Sequence, residues 1–130
     1  MAVPFILGRT HLIIRPQTAQ LTRDTETFGK MDPQVVINVG GSAFRSSVAE
    51  NQGTTPFWND TFTHQVKGNE GELHLMINEV DQVSKNDLVG ECKINLGEVI
   101  QRGTTSNWYD LHHNGYPSGK VMVSLQIVNF

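Results

Sequence analysis

The stretch Lys120-Val-Met-Val-Ser-Leu-Gln-Ile-Val128 decides the fold class of this chain. Its aliphatic residues recur at every second position and alternate with Met122, Ser124 and Gln126. Because successive side chains of a β-strand point to opposite faces, this period of two predicts a strand with one face in the core and the other partly solvated.

The same alternation recurs upstream, and no long segment keeps a helical period. The residues that share a face are Leu12 and Ile14; Val35, Ile37 and Val39; Phe62, His64 and Val66; Leu73, Leu75 and Ile77; and Cys92, Ile94 and Leu96. We therefore predict an all-β chain of about eight strands. The predicted strands lie near residues 10–17, 34–40, 43–49, 60–66, 72–78, 89–96, 107–112 and 120–128, with a short helical turn near residues 98–101.

Turn-forming residues separate these runs at the spacing of a β-sandwich. The turn signals are Gly40-Gly41, Gly53-Thr-Thr-Pro56, Lys67-Gly-Asn-Glu-Gly71 and Asn114-Gly-Tyr-Pro-Ser-Gly119. They predict an antiparallel Greek-key β-sandwich that occupies residues 1–130 as one domain. Residues 1–9 precede the first predicted strand as an N-terminal extension that either pairs with the sheet edge or trails from it.

Composition narrows the function classes. A formal net charge of −3, from 10 Lys and Arg against 13 Asp and Glu, argues against nucleic acid as a partner. The single cysteine, Cys92, excludes an internal disulfide and favours a reducing compartment, so we expect a cytoplasmic protein. The apolar start at residues 1–7 contains Pro4 and is far shorter than a bilayer span, which argues against a membrane helix.

Two predicted loops gather carboxylates. The first, residues 21–33, carries Glu26 and Asp32 on either side of a glycine, with Asp24 near. The second, residues 78–90, carries the acids Glu79, Asp81 and Asp87. One interpretation is that acidic residues collect in turns because they cap the backbone and are well solvated. The other is a shared cation site, which requires the two loops to meet in space.

Four segments together resemble, in order and spacing, the motifs of C2 domains. They are Gly29-Lys-Met-Asp-Pro33, Thr55-Pro-Phe-Trp-Asn-Asp-Thr-Phe62, the run ending in Val80-Asp81 with Asn86-Asp-Leu-Val-Gly90, and Trp108-Tyr-Asp-Leu111. The resemblance covers about residues 10 to 130. It implies the C2 sandwich, and the position of the first and last strands resembles its circularly permuted form, called type II.

The resemblance also implies a calcium site, because in C2 domains the two acidic loops lie at the same end. The ligand positions carried over to this chain are Glu26, Asp32, Glu79, Asp81 and Asp87. Calcium takes six to eight oxygen ligands in irregular geometry, so such a set suits one to three Ca²⁺ ions. Glu26 and Glu79 stand where the family most often has Asp, and their extra methylene lowers the expected affinity or number of ions.

The resemblance further implies docking on anionic phospholipid. Phe28 and Val83 are the apolar candidates for membrane contact, and Lys30 and Lys85 are the basic ones. Two bound ions would change the net charge from −3 to about +1 and attract the loop end to an anionic bilayer. We therefore expect a cytoplasmic protein that becomes peripheral to the membrane when it binds calcium.

Two alternatives remain at this level: association through an exposed strand edge, and a scaffold of the same fold. A calcium-independent C2 scaffold would bind a protein partner instead of lipid. An enzyme is not expected, because Asp110 with His112 or His113 lacks a nucleophile in a recognisable setting. His64, on an apolar face, is interpreted as a core or rim residue.

Overall fold

The structure, a computed structural model, describes residues 2–26, 28–80 and 86–130. Within these residues the chain forms eight β-strands and one short helix. The strands are β1 (Thr10–Leu21), β2 (Pro33–Val39), β3 (Ser42–Arg45), β4 (Phe62–Gln65), β5 (Glu72–Glu79), β6 (Asp87–Asn95), β7 (Thr104–His113) and β8 (Tyr116–Asn129), and the helix is α1 (Gly97–Arg102). The all-β prediction and the helical turn near residue 98 are confirmed.

All strand pairs are antiparallel, in the order β3-β2-β5-β6-β7-β8-β1-β4. A single residue pair, Glu91 opposite His112, joins β6 to β7, whereas β7 and β8 pair along most of their length. The sheet therefore divides into two four-stranded layers, β3-β2-β5-β6 and β7-β8-β1-β4. The antiparallel β-sandwich is confirmed, and the permuted strand topology stays a prediction.

The alternating residues of both layers form the core between them. Leu73, Leu75 and Ile77 of β5 are fully buried, and the aliphatic face of β8 is buried opposite them. Trp58 is 2% exposed, and its indole N–H donates to the Pro33 carbonyl at 3.2 Å. The Pro-Phe-Trp-Asn motif thus anchors the segment before β4 to the start of β2.

Two tight hairpins fix the strand register. Gly40 and Gly41 join β2 to β3, and Asn114 and Gly115 join β7 to β8, with positive φ at all four positions. Two-residue hairpin loops favour this conformation because its twist matches that of the strands. The sequence signal at residues 114–119 was wrong in extent, since β8 begins at Tyr116 directly after the two-residue turn.

The strand directions give the sandwich two distinct ends. Residues 22–26 and 28–32, which follow β1, lie near the end of β5 and the start of β6, and we call this the acidic end. The beginning of β1, residues 66–71, α1 and the end of β8 lie at the opposite end. Among the described residues, no helix has the length and hydrophobicity needed to cross a membrane.

Candidate functional site at the acidic end

Strand pairing brings three of the five predicted ligand positions to the acidic end. Glu79, the last residue of β5, lies opposite Asp87 of β6 and opposite Pro33 of β2. Asp32 immediately precedes Pro33, so it reaches the same edge. The condition for a shared site, that the two acidic loops meet in space, is satisfied for these residues.

The Glu79 side chain is the centre of this group. Glu79 is 3% exposed, and its Oε2 accepts a hydrogen bond from the Asp32 backbone N–H at 2.5 Å. The Val80 backbone N–H donates in turn to the Asp32 carbonyl at 3.1 Å. These bonds tie the end of β5 to the segment that enters β2, and they hold a carboxyl group inside the loop cluster.

The surroundings of Glu79 disfavour its negative charge. Burial raises its pKa, the Asp32 N–H opposes that effect, and the nearby Glu26 and Asp32 carboxylates raise it further, from 4.5 to about 7. The Glu26 carboxyl lies within hydrogen-bonding reach, so a protonated Glu79 donates to Glu26. Burial and the two neighbouring carboxylates therefore favour the protonated, neutral form of Glu79.

Backbone hydrogen bonds hold the first acidic loop in place. Asp32 Oδ1 accepts from the Asn51 N–H at 2.5 Å, and Asp24 Oδ1 accepts from the Glu26 N–H at 2.9 Å. The second bond is an Asx-type turn, in which a short acidic side chain closes on the backbone two residues later. Asp32 is therefore anchored through one of its carboxylate oxygens.

The donor set has the chemistry of a hard-cation site. Glu26, Asp32 and Glu79 supply carboxylate oxygens, and mutual repulsion with a raised pKa at Glu79 is what a divalent cation would relieve. In residues 2–26, 28–80 and 86–130, however, no group of three or more His, Cys, Asp or Glu side chains is arranged to hold a metal ion. The predicted ligand Asp81 lies outside the described residues.

The loop tip shows one strongly exposed apolar side chain. Phe28 is 86% exposed, and Lys30, two residues later, is also exposed. Met31, in the same loop, is fully buried, and Leu88 of the second loop is half-buried. The other two predicted contacts, Val83 and Lys85, lie outside the described residues.

Sequence reasoning missed a second polar centre, at the opposite end. His64 is buried, which confirms its interpretation as a core residue, but its partners were not predicted. Its Nε2 lies 2.6 Å from Glu70 Oε2, and its Nδ1 lies 2.9 Å from Ser42 Oγ. A buried polar side chain needs a hydrogen-bond partner, so the position of His64 on the apolar face of a predicted strand was the sequence signal for this centre. Glu70 sits in a predicted turn, so the alternation could not identify it.

The Glu70 carboxylate has three backbone hydrogen-bond donors in addition to its contact with His64. Oε2 also accepts from the Lys67 N–H, and Oε1 accepts from the Gly68 and Asn69 N–H groups, at 2.8 to 3.1 Å. Burial alone would raise the pKa of Glu70, but these backbone bonds and the one to His64 outweigh it and lower the pKa to about 2. Glu70 is thus a fixed carboxylate.

Comparison with known proteins agrees with this architecture. The C2 domain family model matches residues 10–111. Extended synaptotagmin-1 of Rattus norvegicus is 35% identical over 86 residues, which cover 64% of this chain and 8% of that protein. The 16 kDa phloem protein 2 of Arabidopsis thaliana is 36% identical over 87 residues, which cover 67% of this chain and 59% of that protein. The chain thus spans less than two thirds of either relative.

Solved structures show the same similarity. A C2 domain-containing protein from a putative elicitor-responsive gene is 29% identical with a TM-score of 0.78, and the match covers 96% of this chain and 93% of that one. The calcium-bound C2A and C2B domains of extended synaptotagmin 2 are 28% identical with a TM-score of 0.81, and the match covers 96% of this chain and 48% of that one. Sequence motifs, strand pairing and these matches agree, and the chain belongs to the C2 domain family.

Proposed function

We propose that this domain docks on anionic phospholipid when calcium binds at its acidic end. The observation that carries the proposal is the buried Glu79 carboxyl, which lies against Glu26 and Asp32 and has its pKa raised to about 7. A divalent cation relieves the repulsion among these groups and replaces the proton on Glu79. The similar C2A and C2B domains of extended synaptotagmin 2 were solved with calcium bound, which supports the same ion here.

The proposed site consists of Glu26, Asp32, Glu79, Asp81 and Asp87, and it holds one to three Ca²⁺ ions. These carboxylates repel an anionic bilayer until they are neutralised, and two ions would bring the net charge from −3 to about +1. Calcium then acts as an electrostatic switch at one end of the sandwich. Magnesium demands a tight octahedron and keeps its waters, so it fits an irregular loop cluster less well.

Apolar contact adds to this attraction. Phe28 is 86% exposed at the loop tip, and full burial of such a side chain contributes about 1.5–3 kcal/mol. Lys30 lies two residues away, and a basic residue near an anionic surface adds about 1 kcal/mol. We assign Val83 and Lys85 the same roles in the second loop. Neither the apolar contact nor the basic residues would hold a protein on a bilayer without a further attraction, so we propose that binding depends on calcium.

The role we propose is binding rather than catalysis. The only thiol, Cys92, has its pKa raised to about 12 by burial and by the nearby Glu91 charge, so it stays protonated at neutral pH and is a poor nucleophile. The His64 ring beside Ser42 is buried, 2% exposed, and already bonded at both nitrogens. In the cell, we propose a cytoplasmic protein that associates peripherally with the membrane.

One observation favours a second candidate, a calcium-independent scaffold for a protein partner. The Asp32 backbone N–H bonds to Glu79, and the Asp32 carboxylate bonds to the Asn51 N–H. The loop is therefore held in place by protein contacts before any cation binds. A scaffold of this kind would present the acidic end as a preformed surface.

Liposome sedimentation separates the two candidates. The parent chain is mixed with vesicles of phosphatidylserine and phosphatidylcholine, or of phosphatidylcholine alone, in calcium, in magnesium or in chelator. Asp32→Asn removes the charge but keeps an Oδ1 that accepts from the Asn51 N–H. Phe28→Ala removes the exposed tip, and Phe57→Ala is its matched control because Phe57 is 62% exposed and lies opposite Thr18 of β1 rather than in an acidic loop.

The proposal expects the parent to sediment only with anionic vesicles in calcium. Asp32→Asn should lose this binding, Phe28→Ala should weaken it by about tenfold or more, and Phe57→Ala should match the parent. Binding of the parent in chelator, or equal binding of parent and Asp32→Asn, would reject the calcium site and leave the scaffold.

A further inference from the structure

A cavity of about 550 Å³ lies at the end of the sandwich opposite the acidic loops. It opens between the N-terminal segment, the start of β1, the loop before β5, and α1. Residues 10 and 21 of β1 mark the two ends of the sandwich, and a strand of that length spans about 35 Å. The cavity is therefore separate from the acidic end in both position and lining.

The cavity walls are mainly apolar. The lining side chains of this kind include Val3, Phe5, Leu12, Val66, Ile100 and Ile127. Phe5 lies against Gly68, where a Cβ would come within 3.3 Å of the ring. Phe5 and Ile100 are each 50% exposed, although they face an apolar cavity rather than the protein core. Two large side chains thus stand at the mouth with part of their apolar surface in water.

The polar floor of the cavity is already satisfied. His64 and Glu70 line it, and their side chains are 1% and 3% exposed and lie 2.6 Å apart. Three backbone N–H groups complete the shell of the Glu70 carboxylate. Gly40 packs over the pair so closely that a Cβ would meet His64 Nε2 at 2.9 Å. The Glu70 carboxylate and the His64 ring in this floor therefore have hydrogen-bond partners without a ligand.

The rim carries one available positive charge. Lys67 is exposed, and its ammonium donates to the Gly40 carbonyl over a long 3.4 Å contact. Of the charged lining residues in the described part of the chain, Lys67 alone has no ion-pair partner. An amphiphile whose chain fills the apolar cavity would leave its head group at this rim, where a negative charge is favoured.

We propose that this cavity binds a free, single-chain anionic amphiphile of the fatty-acid class, with the chain between Phe5 and Ile100 and the carboxylate at Lys67. Pockets for small ligands have volumes of about 300–1,000 Å³, mostly apolar walls and a few placed polar groups, and this cavity meets each condition. The site needs no calcium, because none of its lining residues belongs to the acidic end. Ligand binding here is independent of the proposed membrane docking.

Fluorescence titration in chelator tests the proposal without engaging the acidic loops. The probe is dansyl-labelled undecanoic acid, used below its aggregation concentration. Laurate and dodecyltrimethylammonium serve as competitors that displace the probe from the cavity. They are chosen because they have similar chains and opposite charges. Three variants accompany the parent. Lys67→Ala removes the rim charge, Ile100→Glu places a carboxylate at the mouth, and Lys93→Ala is a matched control on the exposed face of β6.

We expect saturable binding by the parent and by Lys93→Ala, with about tenfold weaker binding by Lys67→Ala and a larger loss in Ile100→Glu. Laurate should displace the probe at least tenfold better than dodecyltrimethylammonium. The proposal is overturned if the parent does not bind, if folded Ile100→Glu binds like the parent, or if the cationic competitor is equal. A signal that appears only with phosphatidylcholine vesicles would assign the cavity to bilayer lipid and also overturn it. Circular dichroism confirms that each variant is folded.

Discussion

Two glutamates with buried side chains lie at the two ends of strand β5, and their pKa values are shifted in opposite directions. Glu70 precedes the strand and has its pKa lowered to about 2, whereas Glu79 ends it and has its pKa raised to about 7. Burial acts in the same direction on both. The difference comes from their neighbours, since Glu70 faces His64 and three backbone N–H groups, and Glu79 faces two other carboxyl groups.

Glu70 carries a charge that is part of the fold, whereas Glu79 carries one that we propose serves cation binding. The chain itself supplies every partner of Glu70, so that carboxylate is part of the fold. Among the described residues, Glu79 receives one backbone N–H, from Asp32, and the other groups that shift its pKa are the carboxylates of Glu26 and Asp32. Perturbed carboxyls of the second kind cluster at functional sites, because a substrate or ion provides the missing partner. Here calcium is the partner that we propose.

The largest effect should follow from breaking the Glu70 centre. Glu70→Ala leaves the buried His64 and three N–H groups without their acceptor, and loss of one member of a buried pair costs about 3–5 kcal/mol. We expect the free energy of unfolding to fall by that amount in urea titrations at neutral pH. A variant within about 0.5 kcal/mol of the parent would show that the pair is not structural.

The next effect should be a pH dependence caused by Glu79. The folded protein binds this proton more tightly than the unfolded chain, so in chelator stability should decline as the pH rises from 4.5 to about 7. The full decline attributable to Glu79 is about 3 kcal/mol. Urea titrations at several pH values measure it as the difference between the parent and Glu79→Gln, in which the decline should be absent.

Calcium should remove the same decline, because the cation then occupies the place of the proton. A decline that is equal in the parent and in Glu79→Gln would contradict the assignment. Glu70 should act in the opposite direction, with stability lost as the pH falls from 4.5 towards 2. The change in stability below pH 4.5 therefore reports on Glu70, before β5, and the change between pH 4.5 and about 7 reports on Glu79, at its end.

The smallest effect should come from a histidine and glutamate pair at the surface. His74 Nε2 lies 2.7 Å from Glu91 Oε1, but the two side chains are 31% and 42% exposed. Solvent screens such a pair, so His74→Ala should change the free energy of unfolding by about 1 kcal/mol or less. The same urea titration that measures Glu70→Ala checks this. A loss as large as that of Glu70→Ala would show that distance rather than burial decides the effect.

The sequence predicted most of the fold because alternation and turn residues are local signals. Val35, Ile37 and the aliphatic residues of β8 are buried as their spacing requires. The extent of β8 was missed because Tyr116 to Gly119 have turn-forming composition, yet Asn114 and Gly115 alone make the turn. A two-residue hairpin turn of this kind needs positive φ at both positions, and amino-acid composition does not show which two residues adopt it.

The sequence predicted which residues belong to the candidate site, but not their burial or their hydrogen bonds. Family motifs identified Asp32 and Glu79, and strand pairing brings them together. Their spacing does not reveal that Glu79 is buried against Glu26, nor that Asn51 anchors Asp32. Those contacts join segments far apart in the chain. The cavity at the opposite end depends likewise on residues from five separate segments, which no local pattern connects.

We propose above all that Glu79 and its neighbours bind a divalent cation, and thermal unfolding tests this most directly. The parent and Asp32→Asn are unfolded in millimolar calcium, in magnesium and in chelator at neutral pH. A ligand at about a hundred times its dissociation constant adds about 2.7 kcal/mol, a rise in Tm on the order of 10 °C for a domain of this size. The account predicts that rise for the parent in calcium alone. No rise, an equal rise in magnesium, or an unchanged rise in Asp32→Asn would contradict it.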